Sequence, residues 1–279
     1  MAPKAKENKE FLLLFLFFLT IGTIFVQNPY TILMYELSLS IAESKIHWLT
    51  KMDKLIADTK KLDAVFAQST DCNRVLFCFA CKDDFAMDLQ RIFFEYLIES
   101  YLGNTKKEYI KKSIKVKTEY YDILIGILTS FDRESEEKIL RKILTVGENF
   151  SYDGYFYFRL QQLQDRWSEI CTLAKENAFF FSNTDTLLEL IRFLMSTIKP
   201  KIEKVVVTKG AQSTFAITNN DDTLIASSDD PDELLLHLID IAPLEINLVG
   251  DILPKEQTKL LSNIFEEKFS NNTIELFKS

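Results

Sequence analysis

Between Glu10 and Glu36 the chain carries no charged side chain, and from Phe11 to Val26 it reads FLLLFLFFLTIGTIFV, with Thr20 and Thr23 its only polar members. A run that is apolar on every side has no polar face to offer water, so it must be buried in protein or in lipid. As a helix it would span about 24 Å at ~1.5 Å per residue, somewhat short of a hydrocarbon core of about 30 Å. Extension through Tyr30, Ile32 and Leu33, past a kink at Pro29, would lengthen the span. Lys4, Lys6 and Lys9 precede the run and only Lys45 follows closely, a bias that places the N-terminus in the cytoplasm. No small-x-small cleavage pattern follows the run. Residues 1–33 are therefore expected to form a cytoplasmic tail and a single-pass membrane anchor, a transmembrane helix at Phe11–Val26. The alternatives are a buried core helix, which apolarity on every side disfavours, and a translation start at Met34, which would leave a soluble cytoplasmic chain.

The body that follows is long enough for a substantial core, with 279 residues in all and 47% hydrophobic content. Only 7 Gly and 6 Pro interrupt it, which favours long helices over an all-β fold. Tyr35–Ile41 alternates as a strand, Glu43–Ala57 has helical spacing, and Leu62–Ala67 and Arg74–Cys81 read as strands. Asp83–Leu102 is a strongly apolar helix. These make a small β-α-β-β-α unit over 34–103. The region 104–199 is a helical bundle: Lys106–Ser130, Arg133–Thr145, a helix from about Ser151 to Asn177, and Thr184–Ile198, stopped by Pro200. From 200 to 279 the period shortens. Strands are expected at Lys204–Thr208, Thr214–Ile217, Thr223–Ala226, Glu245–Val249 and Thr273–Phe277. Helices are expected at Pro231–Ile241 and Pro254–Phe269, with Asp230 as N-cap and Glu233 completing a capping box. The fold class is α+β: an N-terminal α/β unit, a central helical bundle and a C-terminal α/β layer, preceded by the membrane helix.

Charge is uneven. Residues 200–279 hold 7 basic against 14 acidic side chains, and the first 199 hold 26 against 27. An acidic C-terminal unit of this kind disfavours nucleic acid as a partner. The one basic concentration is Lys106, Lys107, Lys111, Lys112, Lys115 and Lys117, with Tyr109 among them. It is a candidate interaction patch for lipid headgroups or a phosphate backbone, or a solvated helix face. Catalytic signatures are missing. The Gly residues build no phosphate loop, and there is no G-x-S-x-G elbow. Cys78 and Cys81 have C-x-x-C spacing, but Cys78 lies inside a strand run and no second pair completes a zinc site. His47 and His237 each sit within helical sequence and read as structural. Asp221, Asp222, Asp229, Asp230, Asp232 and Glu233 lack calcium-loop spacing. No catalytic residue, metal ligand or cofactor site is assigned.

The segment Asn149-Phe150-Ser151-Tyr152-Asp153-Gly154-Tyr155-Phe156-Tyr157-Phe158-Arg159-Leu160 resembles the N-x-x-G-F-x-x-F-R-L helix start of the YtxC family of sporulation-associated proteins of Firmicutes. The similarity continues through a helix with Leu187, Leu190, Ile191 and Phe193. It extends to Leu234–Val249 (LLLHLIDIAPLEINLV) and Asn263-Ile264-Phe265. The resemblance is best over 130–270 and centres on Gly154, Phe158, Arg159 and Leu160. It implies a sporulation-associated role without a defined chemistry, and it transfers no catalytic residue. Within the segment, Ser151 is placed to cap a helix. Phe156 and Phe158 point to different sides, so a helix wrapped by neighbours is expected.

The leading expectation is a sporulation-associated protein, tethered to membrane, acting through contacts with a protein partner. Its alternatives are an enzyme using C-terminal carboxylates, or a lipid or nucleic-acid binder using Lys106–Lys117. Fractionation of cells expressing a tagged full chain should place it in a carbonate-resistant membrane pellet. A soluble protein whose first peptide begins at Met34 would contradict the anchor.

Overall fold

The computed structural model describes residues 34–115, 120–176, 184–210 and 214–272. Phe11–Val26, Lys117 and the strand expected at Thr273–Phe277 lie outside these residues. Among the described residues no helix is long and apolar enough to cross a membrane. The protein is α+β, with two sheets. Its residues group into two units, whose described parts are 34–44, 51–95 and 145–152, and 45–50, 96–144 and 153–272.

The first unit is built on strands β1 (Met34–Ala42), β2 (Val65–Asp71), β3 (Arg74–Lys82) and β4 (Asn149–Ser151), in the order β2-β3-β1-β4. Alternation does what the period requires. Leu37, Leu39 and Ile41 of β1 and Val75, Phe77, Phe79 and Cys81 of β3 are buried, and the residues between them are not. Helix α1 (Met52–Lys60) precedes β2, and α2 (Ala86–Ser100) follows β3 after a 3-10 turn. Phe93 of α2 stands edge-on to both Phe79 and Phe150, at 6.1 and 6.4 Å. The β2–β3 turn is Cys72-Asn73, both at positive φ (49° and 62°), which suits the right-handed twist of a two-residue hairpin. Two expectations are corrected. Glu43–Ala57 is not one helix: a 3-10 turn, Glu43–Trp48, ends before Lys51, which adopts φ 46°, and α1 starts after it. Asn149–Ser151 is a strand, pairing parallel to β1 through Ser38, Leu39 and Ser40, and the helix starts only after it; Ser151 Oγ accepts from the Arg74 guanidinium at 3.2 Å.

The second unit carries the helices α3 (Lys106–Ser113), α4 (Tyr121–Ser130), α5 (Arg133–Ile143), α6 (Tyr152–Arg159), α7 (Gln161–Glu176) and α8 (Thr184–Thr197). Its mixed sheet runs β7-β6-β5-β8-β9, from β5 (Lys204–Lys209), β6 (Phe215–Thr218), β7 (Leu224–Ser228), β8 (Glu245–Val249) and β9 (Phe269–Asn272). Helices α9 (Pro231–Ile241) and α10 (Lys255–Phe265) complete it. The helices expected as a separate bundle share one apolar core with this sheet. Val205, Val207, Ile246 and Leu248 join Ile125, Leu187, Leu238 and Leu261 in it. Helix α4 is apolar from Ile123 to Leu128 because every side chain of that stretch is buried. Gly126 allows its close approach to α9, since a Cβ there would lie 3.3 Å from Leu236 Cδ2.

Three helices expected as continuous are broken. Lys106–Ser130 divides after Ser113, where Ile114 turns extended. The helix from Ser151 divides at Leu160, and the Gln164 side chain takes up the Phe156 carbonyl at 2.7 Å. Pro254–Phe269 stops at Phe265, because Glu266 takes φ 46° and the chain then enters β9. The α9 cap is as expected in part: Asp230 accepts the Asp232 N–H at 3.0 Å, and Pro231 opens the helix. Glu233 closes the box through an intermediary. Ser228 Oγ accepts the Asp230 N–H at 3.0 Å and lies 2.7 Å from Glu233 Oε2. Asp230→Ala should destabilise the protein by about 0.5–2 kcal/mol. Ser228→Ala should have a similar effect, and Glu233→Gln, which keeps an acceptor, should have less; thermal melts of the three variants check this order.

Candidate functional site

The lysine run does not form one basic surface. Lys106 is fully buried. Its Nζ lies 2.7 and 2.8 Å from the two Glu136 carboxylate oxygens and donates to the Phe131 carbonyl at 2.6 Å. Glu136, on α5, is equally buried and accepts from Trp167 Nε1 of α7 at 3.0 Å. Burial pushes the Lys106 ammonium down from its ordinary pKa and the Glu136 carboxyl up; each partner pulls the other back towards its charged form. This is a charge pair closed off from solvent, and it ties α3, α5 and α7 together.

From Trp167 a chain of rings leads outward. Trp167 stacks on Phe156 (5.8 Å, 27°), and Phe156 meets Trp48 edge-on (5.2 Å, 78°). Trp48 lies on the short segment 45–50, which is held by backbone latches. The Thr50 N–H donates to Ser100 Oγ, Asn104 Nδ2 donates to the Leu49 carbonyl, and Thr105 Oγ1 donates to the Trp48 carbonyl. Asn104 and Thr105 belong to a π-helical turn, Tyr101–Thr105, between α2 and α3. The wider turn shifts the helix face by one residue and brings these side chains to the segment.

Two ammonium groups converge on Trp48. Lys45 Nζ lies 5.2 Å and Lys112 Nζ 5.4 Å from its ring centroid, and Lys45 also lies 4.4 Å from the Tyr157 ring. Each such contact contributes about 0.5–1 kcal/mol at a partly exposed site. Asp153 stands 3.8 Å from Lys45, and Glu108 3.5 Å from His47. Lys112 makes no ion pair among the described residues, and Lys112 and Lys115 are exposed. Helical spacing explains this: Glu108 and Lys112, four apart, share the outer face of α3, while Lys106 and Ile110 share the inner one. Lys107 and Lys111 are half-buried and are not drawn into the cluster. The arrangement presents cations held at fixed positions by aromatic faces, suited to gripping an anion.

The signature segment separates into two sides. Phe156 and Leu160 are buried, Gly154 is half-buried, and Phe158 is 78% exposed with Arg159 beside it. The helix is therefore not wrapped by neighbours, and Arg159 forms no ion pair among the described residues.

The remaining candidates serve locally. Cys78 and Cys81 lie on opposite faces of β3, and burial pushes both thiols up from their ordinary pKa. His237 is half-exposed, 3.9 Å from Glu233. Asp122, Asp230, Asp232, Glu233 and Glu256 line a cleft of about 520 Å³ beside α9 and α10. Three of those carboxylates are already engaged: Asp230 in the cap, Glu233 with Ser228, and Asp232 with Gln257 at 2.6 Å. Among the described residues no cluster of three or more His, Cys, Asp or Glu side chains is placed to hold a metal ion.

No protein family, curated protein or solved structure matches this chain. The YtxC-like resemblance therefore rests on residue pattern alone. Lys45 and Trp48 were missed as site residues in the sequence. The available signal was a Trp preceded by Lys45 and His47 in the chain.

Glu136→Ala, which strands a buried ammonium, should destabilise the protein by roughly 3–5 kcal/mol. The paired replacement Lys106→Met with Glu136→Leu should recover most of that loss. Denaturant melts of the single and paired variants measure the difference; equal losses would show that the charges are not coupled.

Proposed function

We propose that this protein works as a contact protein that grips an anionic partner with the Lys45–Trp48–Lys112–Tyr157 cluster. The observation that carries this reading is the convergence of Lys45 and Lys112 on one indole. Each ring contact holds an ammonium in place without neutralising its charge. Asp153 stands 3.8 Å from Lys45, whereas Lys112 makes no ion pair among the described residues, so an anion meeting this surface would find the Lys112 charge uncompensated. The YtxC-like pattern supports a sporulation-associated setting, and the apolar run Phe11–Val26 supports a membrane tether. Nucleic acid is the less favoured polyanion because the chain as a whole carries a net charge of −8.

A second reading, an enzyme acting through C-terminal carboxylates, draws on the cleft beside α9 and α10. Glu256, at the start of α10 and bound to no partner among the described residues, is the carboxylate it would depend on.

The test is retention on immobilised heparin over a salt gradient. The full chain should be retained. Lys45→Gln with Lys112→Gln should weaken binding by about tenfold and flatten its salt dependence by roughly two charges, with a cooperative melt retained and lowered only by the roughly 0.5–1 kcal/mol that each lost ring contact supplies. Retention equal to that of the unaltered protein would overturn the assignment.

A further inference from the structure

We infer that the anionic partner is the phosphate-bearing surface of a lipid bilayer, engaged by the lysines of the cluster with Phe158 and Tyr157 entering the interfacial layer; this rests on the anion-gripping reading above. Tyr157 adjoins Lys45 in space, and exposed apolar side chains neighbour this pair in the chain. Tyr157, which touches Lys45, is 45% exposed, its neighbour Phe158 78%, and Ile46, next to Lys45, 41%. Arg159, Lys112 and Lys115 are exposed as well.

An exposed Phe at the end of a helix gains nothing from water. Next to a Tyr and an Arg it has the composition of an interfacial anchor, in which rings enter the headgroup layer and cations meet lipid phosphates. An acidic protein surface would satisfy the lysines and leave Phe158 without a function. A bilayer satisfies both, and charge complementarity selects anionic lipid over neutral lipid. Lys45 is pinned by Trp48 and Tyr157, so its position is set before contact.

The apolar run Phe11–Val26 would itself enter lipid, so the quantity to measure is the increment due to lipid charge. The full chain is partitioned onto phosphatidylcholine vesicles and onto vesicles with about 30 mol% phosphatidylglycerol, where two lysines are expected to raise binding about tenfold or more. Lys45→Gln with Lys112→Gln should reduce that increment to about twofold or less. Phe158→Ser, at an exposed position and with an unchanged melt, should lower binding to the anionic vesicles by several-fold while sparing retention on heparin. Glycerophosphate and inorganic phosphate serve as soluble competitors. Displacement by either at low concentration would assign a free phosphate ligand and overturn the bilayer. Loss of heparin retention in the lysine variant with no lipid-charge increment in the unaltered protein would overturn the bilayer and leave the anion reading standing. An increment insensitive to Phe158→Ser would overturn the entry of the ring. Heparin retention unaffected by the lysine variant would overturn both readings.

Discussion

An ammonium and a carboxylate that share no water must find every partner they need inside the protein. Lys106 and Glu136 do so with each other, with the Phe131 carbonyl and with Trp167. Such a pair adds little net stability over well-packed apolar side chains, because desolvation offsets most of the attraction. Its effect is on geometry. A shift of α3, α5 or α7 by one residue would leave a buried charge unmatched. The indole of Trp167 is thereby fixed, Phe156 is fixed on it, and Trp48 on Phe156. The surface cluster is the outer end of an arrangement whose inner end is an ion pair.

Helix α3 shows how one residue type acquires opposite roles. Lys106 and Lys112 lie on faces of the same helix that point in different directions, one into the core and one to solvent. The π-helical turn before Lys106 is what sets that phase, since it adds a residue to the helical repeat just ahead of it. Without it, Asn104 and Thr105 would not reach the segment that holds Trp48.

Much of the secondary structure was legible in the sequence because it is local. Strands β1 and β3 announce themselves by alternation, and α9 by Asp230 and Pro231 at its start. What escaped depends on partners far along the chain. Strand β4 has three residues and exists because Ser38, 111 positions away from Asn149, offers it an edge and a hydroxyl. The breaks at Ile114 and Leu160 fall inside unbroken apolar spacing, where only tertiary contacts mark a stop. Lys106 looked like one of six solvated lysines because its partner is thirty positions on. The opposite faces of Cys78 and Cys81, in contrast, follow from strand period alone once the strand is accepted.

The division of the Gly154–Leu160 segment into an inner and an outer side bears on how such a segment would change over time. Phe156 answers to the rings of Trp167 and Trp48, and Leu160 is wholly buried, so replacements at either are tolerated only with matching volume changes in their neighbours. Phe158 and Arg159 are exposed, so their replacement disturbs no buried packing. Descendants of this chain that abandoned its outer contact would be free to lose both while keeping the inner pair. The short motif is thus two records in one stretch of chain, one of the fold and one of whatever the surface meets.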